Sequence, residues 1–113
     1  MINEAWRRRH SLILSSDLGK PRPAVIVQTD LMTESQLKTV LVCPITSFSS
    51  GPSIFRVPVE PTAANGLKLQ SEVMVDKISP ASRQRIGEII GTFDDVTMRR
   101  LERSMALALG FAG

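Results

Sequence analysis

The sequence predicts a mainly β domain of short antiparallel strands closed by one C-terminal helix, the arrangement of a small, strongly bent sheet or SH3-like barrel. Three observations carry this. The apolar and β-branched runs, among them Ala24 to Val27 and Leu37 to Ile45, are strand-sized and separated by Gly, Pro and Ser turns. Helical periodicity stands out near the end of the chain, where Met98, Leu101, Met105 and Leu109 recur on one face. A chain of 113 residues buries roughly two thirds of its unfolded surface and has no room for a second core. Residues 1–113 are therefore expected to form one domain, with residues 1–9 as an N-terminal arm.

In chain order, Trp6-Arg7-Arg8-Arg9 reads as a basic arm or a first helical turn, a charge run that is either solvated or set against phosphates. His10 to Leu14 reads as a short first strand, and Ser15 to Asp17 begin the turn after it. His10 is the one histidine, either structural or a base working near neutral pH. Gly19-Lys20-Pro21-Arg22-Pro23 then reads as a loop stiffened by two prolines that delivers Arg22 to the edge of the strand Ala24 to Val27. That strand is apolar at every position, so it is expected to be buried on both faces. An arginine bordering it either flanks a turn or offers its planar fork of donors to a phosphate or carboxylate.

Thr29 to Gln36 reads as a hairpin connection, which pairs the strand Leu37 to Ile45 antiparallel to the previous one. The start of one strand then lies beside the end of the next, which sets Arg22 near Thr46. The hydroxyls of Thr46 and Ser47 either form an ordinary turn or donate to a phosphate oxygen. Ile54 to Val59, punctuated by Pro58, reads as an edge strand, and Glu60 to Gly66 as a turn. Val73 to Ile78 reads as a strand interrupted by Asp76 and Lys77, which either snorkel at a sheet end or face the groove of Arg22. Ser79 to Arg85 reads as a turn with 3₁₀ character and Ile86 to Phe93 as the last strand. Asp94 is placed to cap the helix, Gly110 to stop it, and Leu107 lies off the apolar stripe where it meets a partner.

Composition excludes several classes. The formal charge of +3 and a pI near 9.6 favour a polyanionic partner without requiring one. The lone Cys43 sits in an apolar run, which fits a core thiol in a reducing compartment rather than a disulfide or a nucleophile. No spacing of His or Cys suggests a metal site, so neither a metal nor another cofactor is expected. No apolar run approaches the roughly 20 residues of a membrane span, and the start lacks a signal-peptide pattern, so a soluble cytoplasmic protein is expected.

Taken together, Gly19 to Gln28, Pro44-Ile45-Thr46-Ser47, Gly66-Leu67-Lys68, Ser71 to Lys77, and Gly87 to Leu109 with its Asp94-Asp95 start occur in an order and spacing that resembles the MazF/PemK family of toxins from type II toxin–antitoxin pairs. The resemblance covers nearly everything from Leu12 onward. It implies the small barrel of the CcdB/MazF/Kid type and a sequence-specific, metal-independent endoribonuclease, an mRNA interferase. Such an enzyme cleaves single-stranded RNA by attack of the ribose 2′-hydroxyl on the adjacent phosphate. The family's arginine falls on Arg22 and its Thr-Ser pair on Thr46 and Ser47, which makes Arg22 and Thr46 the expected catalytic residues. Lys20, Gln28, Ser47, Asp76 and Lys77 are the expected substrate-binding residues. An acidic antitoxin tail as inhibitor and a two-fold homodimer are also implied.

Two departures stand out. The basic residue, Gly and acid that usually open the family's first strand are replaced by Trp6-Arg7-Arg8-Arg9, and the Arg-x-Asp of the Kid-like branch is Met74-Val75-Asp76 here. Only Asp76 of that pair carries over, where it reads a base. Two other classes compete: a CcdB-like inhibitor that binds DNA gyrase, and a non-catalytic RNA-binding module. The gyrase binders end in a Trp-Gly-Ile-type tail, whereas this chain ends Gly110-Phe111-Ala112-Gly113 and keeps the Arg-Pro and Thr-Ser elements.

Overall fold

Two strands buried on both faces hold the sheet together. In the computed structural model, which describes residues 12–17, 21–27, 38–49 and 51–111, β1 (Leu12–Asp17), β2 (Pro21–Ile26) and β3 (Thr39–Thr46) run antiparallel in sequence. Val25, Cys43 and Ile45 point to one side, where they meet Ile13, Val73, Phe93, Met98 and Leu101; Ala24, Ile26, Val40 and Val42 point to the other, where they meet Ala81. The uninterrupted apolar character of Ala24 to Ile26 follows, since neither face of that segment meets water.

β4 (Arg56–Val59), β5 (Ser71–Met74), β6 (Ser79–Ser82) and β7 (Ile86–Thr92) complete the strands among the described residues. The hydrogen-bonded order is β4-β5-β3-β2-β1-β7, with β6 on β3. The mainly β sheet and the C-terminal helix match the sequence expectation. Among the described residues the sheet is an open path and not a closed barrel, with β4 and β7 at its ends. β4 is the expected edge strand: Val57 and Val59 are buried, while Pro58 is exposed.

The helix α1 (Asp95–Ala108) packs Met98 and Leu101 into the larger core. Asp94 caps it as expected, its carboxylate accepting from the Thr97 N–H at 2.8 Å, a bond that holds the carboxyl below the usual range. Gly110, at φ +80°, ends it: the Phe111 N–H donates to the Ala106 carbonyl and the Gly110 N–H to the Leu107 carbonyl, the paired bonds of a Schellman motif. The apolar stripe is shorter than its sequence period, because Leu109 is exposed and Ser104 is buried, its hydroxyl donating to the Ile54 carbonyl.

Three segments depart from expectation. Arg22 lies within β2, opposite Ser16 of β1, and not in a loop before it. The two prolines explain this: φ near −65° and an extended residue before each are compatible with a strand, and residues 21–23 pair only with β1 among the described residues, so missing N–H groups are tolerated. The strand expected over Val73 to Ile78 stops at Met74, and Val75–Lys77 form a 3₁₀ turn that buries Val75 and exposes Asp76 and Lys77. Finally, Ser79–Ser82 is a strand on Thr39–Val42, followed by a 3₁₀ turn over Arg83–Arg85. The N-terminal arm, His10, Lys20, Gln28 and the connection Thr29 to Gln36 lie outside the described residues. No helix among the described residues is long and apolar enough to cross a membrane.

Candidate functional site

β2 and β3 pair in the register Ala24 to Pro44, Val25 to Cys43 and Ile26 to Val42. Carried two residues further, this register sets Arg22 across from Thr46. Both line one cavity of about 610 Å³, together with Ser47 and Phe48 from the β3 end, Gly66 to Leu69 from the β4–β5 connection, Ser71 of β5 and Ile90 of β7. That volume falls within the roughly 300–1,000 Å³ of small-ligand sites. Two cations, Arg22 and Lys68, and no carboxylate occur among the described residues that line it. The electrostatics favour an anion.

Thr46 is oriented by its own turn. Its Oγ1 accepts from the Phe48 N–H at 3.1 Å. One lone pair of the oxygen is thereby engaged and the hydroxyl proton is left to donate elsewhere. The rest of this loop repeats the device, Ser49 Oγ accepting from the Gly51 N–H and Ser53 Oγ from the Phe55 N–H.

The opposite wall is built by one buried asparagine. Asn65 Oδ1 accepts from the N–H groups of Thr62 and Leu67, each at 3.0 Å, and its Nδ2 donates to the Glu60 carbonyl at 2.8 Å. The knot docks on β7 through the Thr92 N–H, which donates to the Ala64 carbonyl. Two glycines make the approach possible: a Cβ on Gly66, which has φ +69°, would lie 2.1 Å from the Ile90 carbonyl oxygen, and one on Gly91 would lie 2.3 Å from the Asn65 carbonyl carbon. Leu67, Lys68 and Leu69 reach the cavity because this loop is held against the sheet.

Of the expected site residues, Arg22, Thr46 and Ser47 are brought together, and Lys20 and Gln28 lie outside the described residues. Asp76 and Lys77 do not line the cavity. Asp76 instead accepts from Arg56, Nε to Oδ1 at 2.7 Å and Nη2 to Oδ2 at 3.2 Å. Arg56 Nη1 also donates to Glu72 at 3.2 Å. This bidentate partner holds the Asp76 carboxyl below the usual range and raises Arg56 above its own. Arg56 stands opposite Met74 in the β4–β5 register. The guanidinium absent at position 74, two residues before Asp76, thus reaches its 3₁₀ turn from β4.

Lys68, Leu69 and Ile90 are among the cavity residues that sequence reasoning did not single out, whereas Phe48 opens a loop, Phe48 to Ser53, expected from the sequence to bear on base choice. Lys68 lay in a quoted motif, but nothing in the pattern told which loop cation faces the groove. Cys43 behaves as expected of core filler: it is fully buried, and burial, with the negative charge of Asp76 adding to it, pushes the thiol up to about 12. Among the described residues no group of three or more His, Cys, Asp and Glu side chains is placed to hold a metal.

Fold and cavity together define a mainly β protein whose strand ends, loop and last strand form a cationic groove. A profile of PemK-like, MazF-like toxins of type II toxin–antitoxin systems matches residues 7–109, and the chain belongs to that family. It is 34% identical over 95 residues to a probable endoribonuclease MazF of Mycolicibacterium smegmatis, covering 84% of this chain and 85% of the relative. Among solved structures, the Mycobacterium tuberculosis toxin MazF-mt6 superposes with a TM-score of 0.77 at 28% identity, over 88% of this chain and 96% of that one. A mycobacterial endoribonuclease in complex with its cognate antitoxin shares the fold with a TM-score of 0.79 at 21% identity, over 92% and 96% of the two chains.

Proposed function

We propose that residues 1–113 act as one toxin domain, a sequence-specific endoribonuclease that cuts single-stranded RNA, mRNA included, in the cytoplasm, and that an acidic antitoxin segment inhibits it. The observation that carries this is that Arg22 and Thr46 line one groove together with Lys68, with no carboxylate among the described residues that line it. Family membership supports the same reading over gyrase binding.

When the nucleophile is the substrate's own 2′-hydroxyl, what remains is to align it with the phosphorus, to stabilise the charge that develops on the non-bridging oxygens, and to let protons leave the 2′-oxygen and reach the 5′-oxygen. Arg22 supplies a permanent, fork-shaped cation for those oxygens. Thr46, with its acceptor side engaged by Phe48, donates its proton to one of them. The attack forms a bond from the 2′-oxygen to phosphorus and breaks the bond from phosphorus to the 5′-oxygen; the 2′-hydroxyl proton passes to solvent and the 5′-oxygen takes one from solvent, giving a cyclic phosphate and a 5′-hydroxyl end. The chemistry as proposed calls for no metal.

Incubation of the purified protein with a long single-stranded RNA in excess EDTA tests the reading. Cutting at a recurring short sequence is expected, and Arg22→Ala is expected to slow it by more than about a hundredfold with the melting temperature unchanged. Intact RNA under these conditions overturns the proposal for the wild type. A folded Arg22→Ala protein that still cleaves removes Arg22 from the mechanism.

A further inference from the structure

The groove has a second half that phosphate chemistry leaves unused. Phe48 is 73% exposed, Leu69 63% and Ile90 37%, and all three line the cavity that Arg22 and Thr46 line. They come from three separate elements: the turn after β3, the β4–β5 connection and β7. Single exposed apolar residues are ordinary on a surface, but convergence of three beside a cationic strip marks a binding site.

A ligand matching both halves carries an anion joined to a flat apolar body, as a nucleotide in single-stranded RNA does. Resting on the endoribonuclease reading above, we propose that Phe48, Leu69 and Ile90 form the seat of the nucleobase next to the phosphate held at Arg22 and Thr46. Phe48 stacks on that base and contributes to the choice of RNA sequence. Its backbone is tied to the catalytic hydroxyl by the Phe48 N–H to Thr46 Oγ1 bond, so the ring projects from a point fixed two residues from the phosphate site. Stacking suits this position because every base offers a π-face, while Leu69 and Ile90 shape the space around it. A run of carboxylates alone would satisfy the cations and leave Phe48 without a ring to stack on.

The test starts from the cleavage sites mapped on a long RNA. A short oligonucleotide of that sequence, with a 2′-deoxy sugar to block cleavage and 2-aminopurine beside the blocked phosphate, is titrated with the full chain. Wild type is expected to quench the fluorophore. Phe48→Ala is expected to bind about tenfold more weakly and without quenching, and to relax the cleavage pattern, whereas Phe48→Tyr keeps all three properties. Phe48 is exposed, so neither substitution threatens the core. A Phe48→Ala protein with wild-type affinity, quenching and pattern overturns the base seat while leaving the endoribonuclease reading intact. Loss of affinity for a carboxylate-rich peptide with RNA binding unchanged likewise overturns it, since the seat then serves a protein ligand. A wild-type protein that neither binds nor cuts RNA overturns both proposals.

Discussion

Thr46 shows how a single side chain is set up by its neighbours. Its oxygen already accepts a backbone N–H, and its Cβ-branched side chain ends a strand, so the position of Oγ1 is settled before any ligand arrives. Thr46→Val keeps the shape and removes the donor. Turnover is expected to fall roughly ten- to a hundredfold while the melting temperature stays nearly constant; both quantities unchanged would reduce Thr46 to a turn residue. The adjacency of Thr46 and Arg22 was legible in the sequence because antiparallel pairing of consecutive strands dictates it. The partner of Asp76 was not legible, since Arg56 is 20 residues away and meets it only through β4–β5 register. Lys77 and Lys68 illustrate the same limit: both are basic and near strand ends, and only the fold assigns Lys68 to the groove.

At the level of elements, β2, β3 and the helix follow from apolar runs and periodicity, because burial on one or both faces writes itself into the sequence; β7 is legible from its isoleucines, although none of its residues is buried. β6 does not, since Ser79-Pro80-Ala81-Ser82 has little strand preference and becomes a strand by pairing with Thr39–Val42. The β4–β5 ribbon is clamped by Arg56, whose side chain is 14% exposed, between Glu72 and the more exposed Asp76. Arg56→Ala is expected to cost about 2–3 kcal/mol at neutral pH, because the largely buried Glu72 loses this cation. The acid dependence has a definite sign. The Asp76 carboxyl is held below its unfolded value, so its stabilisation is complete above the unfolded pKa and is lost as pH falls through the folded one. The gap between wild type and Arg56→Ala should therefore narrow as melts are repeated from neutral pH down to strongly acid buffer, and a gap independent of pH would rule out the linkage through Asp76.

For the molecule as a whole, exposed Val96, Leu107, Leu109 and Phe111 lie along and just beyond the helix, apolar surface of the kind that subunits cover. A symmetric homodimer is the proposed state, and sedimentation at micromolar concentration is expected to give a two-chain species; a monomer there would refute it. RNA and an acidic antitoxin segment competing for one cationic groove should both weaken with added salt. The Asn65 knot has a consequence for how the molecule ages. Asn-Gly is the dipeptide whose side-chain amide is most readily attacked by the following backbone nitrogen, with loss of ammonia and a change of charge. In the folded chain the Gly66 N–H donates to the Thr62 carbonyl and the Asn65 amide is pinned by three hydrogen bonds, so the nitrogen and the carbonyl carbon are held out of reaction. Deamidation at Asn65 is therefore expected only through opened loops, which would make it a clock that runs while the groove's wall is undone.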